Sequence, residues 1–94
     1  MSAEDLILNI AVNFGRLSRF SSEGRLNRIK QFLTDTDYYL EQLEQVSIND
    51  KFKPTLARFK TDLTRLKNSD FVAAEWAEET LTWANILQHR AKLA

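Results

Sequence analysis

His89 is the only histidine in the chain, and there is no cysteine. Histidine can move a proton or bind a metal, but either role needs partners at set spacings: a nucleophile beside it, or further His, Cys, Asp or Glu ligands. The nearest acidic cluster is Glu75, Glu78 and Glu79. It lies too far upstream for the Glu-x-x-His spacing of a di-metal helical bundle. No glycine-rich loop is present to cradle a phosphate. The carboxylates Asp35, Asp37, Glu41 and Glu44 fall opposite an apolar helical seam, so no dry pocket tunes them as a general acid and base. Disulfides, thiolate zinc sites and thiol catalysis are excluded outright. The expectation is a protein that is not an enzyme and carries no metal or cofactor.

Two other constellations could act without catalysis. Arg16, Arg19, Arg25 and Arg28, with Lys30, face Glu23 alone over residues 16–30. Arginine forks suit phosphates and carboxylates, so this cluster is a candidate anion-binding end. No zinc spacing, RNP-like string or helix-turn-helix pattern accompanies it. Trp76 and Trp83 stand seven residues apart, on one edge of a helix. They read first as core packing, and secondarily as a stacking platform for a flat ligand.

These residues must be positioned by helices. Leu26-Ile29-Leu33-Thr36-Leu40-Leu43 and Phe52-Leu56-Phe59-Leu63-Leu66 both step by three and four. That spacing places each set on one side of an α-helix. The short polar stretch Ser47-Ile48-Asn49-Asp50 between them makes the two helices an antiparallel pair. Before them, Leu6, Ile10, Phe14 and Leu17 mark a helix from Ala3 to about Arg19, with Ser2 as its N-cap and Asp5 in the capping-box position. Ser21-Ser22-Glu23-Gly24 forms the first turn and caps a second helix that extends to about Val46. The third begins near Asn49 or Lys51, with Pro54 in its first turn, and ends near Lys67. The fourth, capped from Asn68-Ser69-Asp70, runs from Phe71 to about Lys92. It buries Ala73, Ala77, Thr80, Ala84, Leu87 and Ala91. The fold class is therefore all-α, an antiparallel up-down four-helix bundle, with residues 1–94 as one domain.

The charges are arranged in blocks. Residues 32–50 carry only acids and residues 51–67 almost only bases, while the numbers balance at 13 each. Antiparallel packing sets the acidic end of the second helix beside the basic start of the third. It likewise sets the basic end of the third beside the acidic start of the fourth. Such pairs are individually weak but penalise wrong pairings. A net charge of zero speaks against a dedicated polyanion binder. The acidic start Met-Ser-Ala-Glu-Asp is unlike a secretory leader, and no stretch approaches the ~20 apolar residues of a membrane span. A cytoplasmic location is expected.

One set of residues is not needed by any of the four seams. Leu8 and Val12 lie roughly opposite the Leu6-Ile10-Phe14-Leu17 stripe, with Asn9 and Asn13 beside them, and no charge occurs from Leu6 to Gly15. A helix apolar all round is normally buried all round. Leu8, Val12, Asn9 and Asn13 are therefore expected to form a partner interface, in a homodimer or with another protein. Gly15, inside the same helix, would permit a close helix approach or a bend. The functional expectation is a non-catalytic helical interaction module that self-associates through its first helix. The alternative is a small regulatory protein binding an anionic partner or nucleic acid at the arginine cluster.

Overall fold

Ser2 accepts a hydrogen bond on its hydroxyl from the Asp5 N–H at 3.1 Å, so the first helix starts where the sequence predicts. In the computed structural model, which describes residues 1–94, four helices form an antiparallel up-down bundle without strands. They are α1 (Ala3–Ser22), α2 (Leu26–Leu43), α3 (Lys53–Lys67) and α4 (Ala74–Arg90), followed by a 3₁₀ turn at Ala91–Leu93. No helix is long and apolar enough to cross a membrane.

The boundaries depart from expectation for identifiable reasons. Ser21 and Ser22 do not cap α2; they are the last turn of α1. Gly24 adopts φ 68°, the left-handed conformation glycine favours. The Arg25 N–H then reaches the Phe20 carbonyl at 2.9 Å and the Gly24 N–H reaches Ser21 at 3.1 Å. This pair of bonds closes α1 in a Schellman motif. It leaves Arg25 at the N-cap of α2, with no capping side chain and no acid in the first turn. At its other end α2 stops at Leu43 rather than Val46, because residues 45 and 46 tighten into bonds to Gln42 and Leu43. α4 starts three residues later than expected. Asp70 Oδ1 takes the Val72 N–H at 3.1 Å and Ser21 Oγ donates to the Phe71 carbonyl, so residues 70–73 make a turn tied to α1.

α1 is the central element. Its closest neighbours are α4 and α2. It buries Ile7, Ala11, Asn13, Phe20 and Ser21 in addition to the Leu6-Ile10-Phe14-Leu17 stripe. Against α4 the approach is close enough for Ser18 Oγ to donate to the Ala77 carbonyl at 2.7 Å. α3 is held at longer range by rings. Phe14 meets Phe59 edge-on at 5.0 Å, and Phe59 meets Trp83 edge-on at 5.3 Å. Trp76, almost fully buried, donates its indole N–H to the Leu66 carbonyl at 2.9 Å.

Leu33, Phe59 and Leu63 are core residues as the seams require. Leu40 and Leu56 are only half-buried and Leu26 is exposed. These three lie where α2 and α3 stand apart over a shallow groove, or where α2 begins at the open end of the bundle. The charge blocks meet in part. Lys67 pairs with Asp37 at 2.6 Å, and Arg65 with Glu79 and with Asp62. Glu41 and Glu44 share a groove with Lys60 without closing an ion pair.

Phe59 touches α1 and α4 at once, so its loss leaves a cavity that no single helix can fill. Phe59→Ala is expected to cost about 3–5 kcal/mol, in a domain whose whole stability is about 5–14 kcal/mol. Urea denaturation at matched protein concentration measures it. An unchanged midpoint would mean that the three-ring contact carries no weight.

Candidate interaction face

With Leu6, Ile7, Ile10 and Phe14 turned into the bundle, the opposite side of α1 faces out along its whole length. Leu8 is 37% exposed and Val12 52%, while the charged residues at either end of the same stripe are exposed as well. α4 adds to this face. Trp76, Trp83, Glu79 and Arg90 contact α3, so the flank of α4 turned away from α3 lies beside the outward stripe of α1. On that flank sits Leu81, 50% exposed. The Ser18–Ala77 bond fixes the antiparallel register and sets Leu81 level with Phe14, one residue from Gly15. Leu81 belongs to no seam in the sequence. The signal that could have found it is its place one turn from Ala77 yet off the Ala77-Ala84-Ala91 line.

Gly15 does not serve a close approach within the protomer. A Cβ built there would meet nothing within 4 Å, and its φ is not positive. An interior glycine with neither requirement costs about 1 kcal/mol against alanine. Nothing inside this chain explains it.

The two asparagines do not flank Leu8 and Val12 as expected. Asn9 turns its amide back along α1, donating to the Asp5 carbonyl at 2.9 Å and touching Met1 Sδ at 3.4 Å. Asn13 is 6% exposed, and its Nδ2 is buried without a hydrogen-bond partner. It lies between Leu6 and Phe20 along the side of α1 that meets α2, where Phe20 packs on Phe32. The helical wheel sets Asn13 only about 40° from Asn9 and about 100° from Val12, so the sequence pattern alone left its side of the helix ambiguous.

The arginines converge on one aromatic pair. Phe20 and Phe32 pack edge-on at 5.3 Å. The Arg16 guanidinium lies 5.6 Å from the Phe32 ring, with Arg19 at 5.1 Å and Arg25 at 5.2 Å from Phe20. Three guanidinium planes thus cover two rings, a cation–π packing that accounts for them without a ligand. Arg28 stands apart, beside Gln31 at 3.5 Å. Glu23 is the one carboxylate in range, 3.6 Å from Arg25. Glu75, Glu78 and Glu79 do not reach the cluster, and Glu79 is held by Arg65.

Elsewhere the geometry offers little chemistry. The Trp83 indole N–H donates to Asp62 Oδ2 at 2.8 Å, and its ring borders an open groove of about 500 Å³ with Arg58 and Ile86. His89 is exposed near the end of α4, and no three His, Cys, Asp or Glu side chains converge. The resolved pKa shifts are surface effects. A hydrogen bond from Lys53 holds Asp50 below the usual carboxylate range, and the Glu79 contact raises Arg65. Comparison of the chain with protein-family models, curated proteins and solved structures finds no match.

Asn13 offers a test of which side of α1 is internal. Asn13→Leu replaces an unpartnered buried amide with an apolar group of similar size, and should stabilise the chain by about 1–3 kcal/mol. Thermal and urea unfolding of the two proteins compare them directly. A loss of stability, with fewer self-associated molecules, would return Asn13 to the surface.

Proposed function

We propose that this chain is a non-catalytic helical interaction module that acts through protein–protein contacts and self-associates through α1. The observation carrying the reading is the outward stripe of α1. Leu8 and Val12 are exposed, Leu81 extends the apolar surface onto α4, and no charge interrupts α1 from Leu6 to Gly15. Scattered exposed apolar residues are ordinary. Leu8 and Val12, however, sit one turn apart on a helix whose other sides are already committed to α2 and α4. Burying each is worth roughly 1.5–3 kcal/mol, and a two-fold dimer counts each twice. The cysteine-free composition suits the cytoplasm, where the proposal places it.

A second reading has one observation in its favour. α2 begins without a cap and without an acid, and the N–H groups of Asn27 and Arg28 find no acceptor in the bundle. Arg25 and Arg28 flank these donors. Free N–H groups at a helix N-terminus attract anions, and the adjacent guanidinium groups add charge. On this reading the chain is a small regulatory protein that takes a phosphate-bearing partner, such as a nucleic acid, at the α1–α2 end.

The first reading predicts that the wild type is dimeric in light scattering at tens of micromolar, and that Leu8→Glu gives a folded monomer with an unchanged helical circular-dichroism spectrum. A monomeric wild type at millimolar concentration ends this reading. The second predicts weak binding of a short single-stranded oligonucleotide at low salt, weakened further by added salt, and lost in Arg25→Ala/Arg28→Ala. Fluorescence anisotropy showing no low-salt binding removes it.

A further inference from the structure

The outward stripe of α1 is ordered along its length. Glu4 and Asp5 stand at its start, Leu8 and Val12 in its middle, Gly15 next, and Arg16 and Arg19 at its end. Neither carboxylate nor either guanidinium has an ion-pair partner within the chain. The two guanidinium groups are nonetheless held in place over Phe32 and Phe20. A two-fold at Val12 exchanges positions equally distant from it. Asp5 answers Arg19, and Leu8 answers Arg16 with the bare Gly15 backbone beside it. A stripe that is acidic, apolar and then basic matches its own reverse.

Resting on the self-association reading above, we propose that the occupant of this face is a second copy of the chain, with its α1 antiparallel to the first about a two-fold axis near Val12. Leu8 of each copy lies over Gly15 of the other, where a Cβ would meet nothing within 4 Å beyond its own stretch of helix. Asp5 of each copy faces Arg19 of the other, with Glu4 beside it at the end of the stripe. A parallel pairing would set carboxylates on carboxylates and guanidinium groups on guanidinium groups, so the charges select the antiparallel arrangement. The two-fold makes each contact occur twice. One long side of the molecule measures 36 by 19 Å, about 700 Å² in projection. As the outer limit of a flat contact on this side, it falls just below the ~800 Å² per partner of an ordinary stable interface. Leu81, one residue from the level of Gly15, extends the apolar floor on which the second copy sits.

Since the chain contains no cysteine, single introduced cysteines report the register directly. Under diamide, Val12→Cys is expected to form a covalent dimer. Leu8→Cys and Gly15→Cys should each stay largely monomeric on denaturing gels when alone, but cross-link to one another when mixed. Independently, Glu4→Lys/Asp5→Lys should weaken the dimer roughly tenfold, since several weak pairs are lost and like charges face each other. Adding Arg16→Glu/Arg19→Glu to that same chain should restore it. Leu8→Cys cross-linking to itself as readily as Val12→Cys would overturn the antiparallel register, and so would failure of the swapped chain to recover. A wild type that is dimeric, dissolves with Leu8→Glu, yet gives no Val12→Cys product overturns the register and leaves self-association standing. A monomeric wild type overturns both.

Discussion

A serine hydroxyl on one helix reaches a backbone carbonyl on the next only when the two backbones nearly touch. Ser18 and Ala77 do so at 2.7 Å. Ala11 and Ala84, both buried, extend the line of small side chains along the same pair. This α1–α4 contact sets the proportions of the molecule. With α4 so near, α1 gives up two sides to its neighbours, and the bulky residues must go elsewhere. They gather as Phe14, Phe59 and Trp83, a chain of edge-on rings that holds α3 at a distance. The bundle is therefore unequal: a tight pair, α2 laid beside α1, and α3 wedged on by aromatic side chains. The tight pair also leaves an outer surface shared by two helices, on which Leu8, Val12 and Leu81 stand.

Electrostatics plays a smaller part in the architecture than the charge blocks suggest. Between α2 and α3 one ion pair forms, Asp37 with Lys67, and both partners remain well exposed. Exposed pairs contribute about 0–1 kcal/mol each, much less than the burial of a single ring such as Phe59. The blocks act mainly against wrong pairings. The same view explains the arginines. Arg16, Arg19 and Arg25 are spread over Phe20 and Phe32, so their long stems and flat guanidinium groups shield two rings that the short α1–α2 turn leaves near the surface. Their charge is left largely unopposed, and it accumulates at the end of α2 where the helix dipole is least favourable to it.

The seams were legible because burial on one side of a helix writes itself at three- and four-residue spacing. Ile29, Leu33, Thr36, Phe59, Leu63 and Leu66 are buried as that spacing requires. What the pattern could not convey was how wide a side of α1 is covered. Ile7 and Ala11 differ from Leu8 and Val12 only in which sector they occupy, and all four are apolar. Asn13 was harder still, since a polar residue is read as exposed unless a partner is evident, and here none exists. Helix ends failed where a local bond outranked a compositional signal. Ser21-Ser22 looks like a cap, but Gly24 in a left-handed conformation two residues on lets α1 absorb both serines. Contacts between distant segments, such as Trp83 with Asp62 or Ser21 with Phe71, have no local signature at all.

The absence of charge from Leu6 to Gly15 can be divided between fold and surface. Leu6, Ile7, Ile10, Ala11 and Phe14 are apolar because the bundle buries them. Leu8, Asn9, Val12 and Gly15 are under no such demand, since none is buried in the protomer. In a chain with 28% charged residues, four outward positions on one helix are the natural place for lysine or glutamate, which would favour both helix formation and solubility. A helix-interior glycine and a β-branched valine there are the opposite choice. The charges that do occur on this stripe are confined to its two ends, acid at one and base at the other. The macrodipole of α1 favours that order, with acids in the first turn and a base in the last, but within the single chain no group on the stripe closes an ion pair. On the antiparallel proposal, the acidic end of each stripe meets the basic end of the other and the apolar middle meets itself.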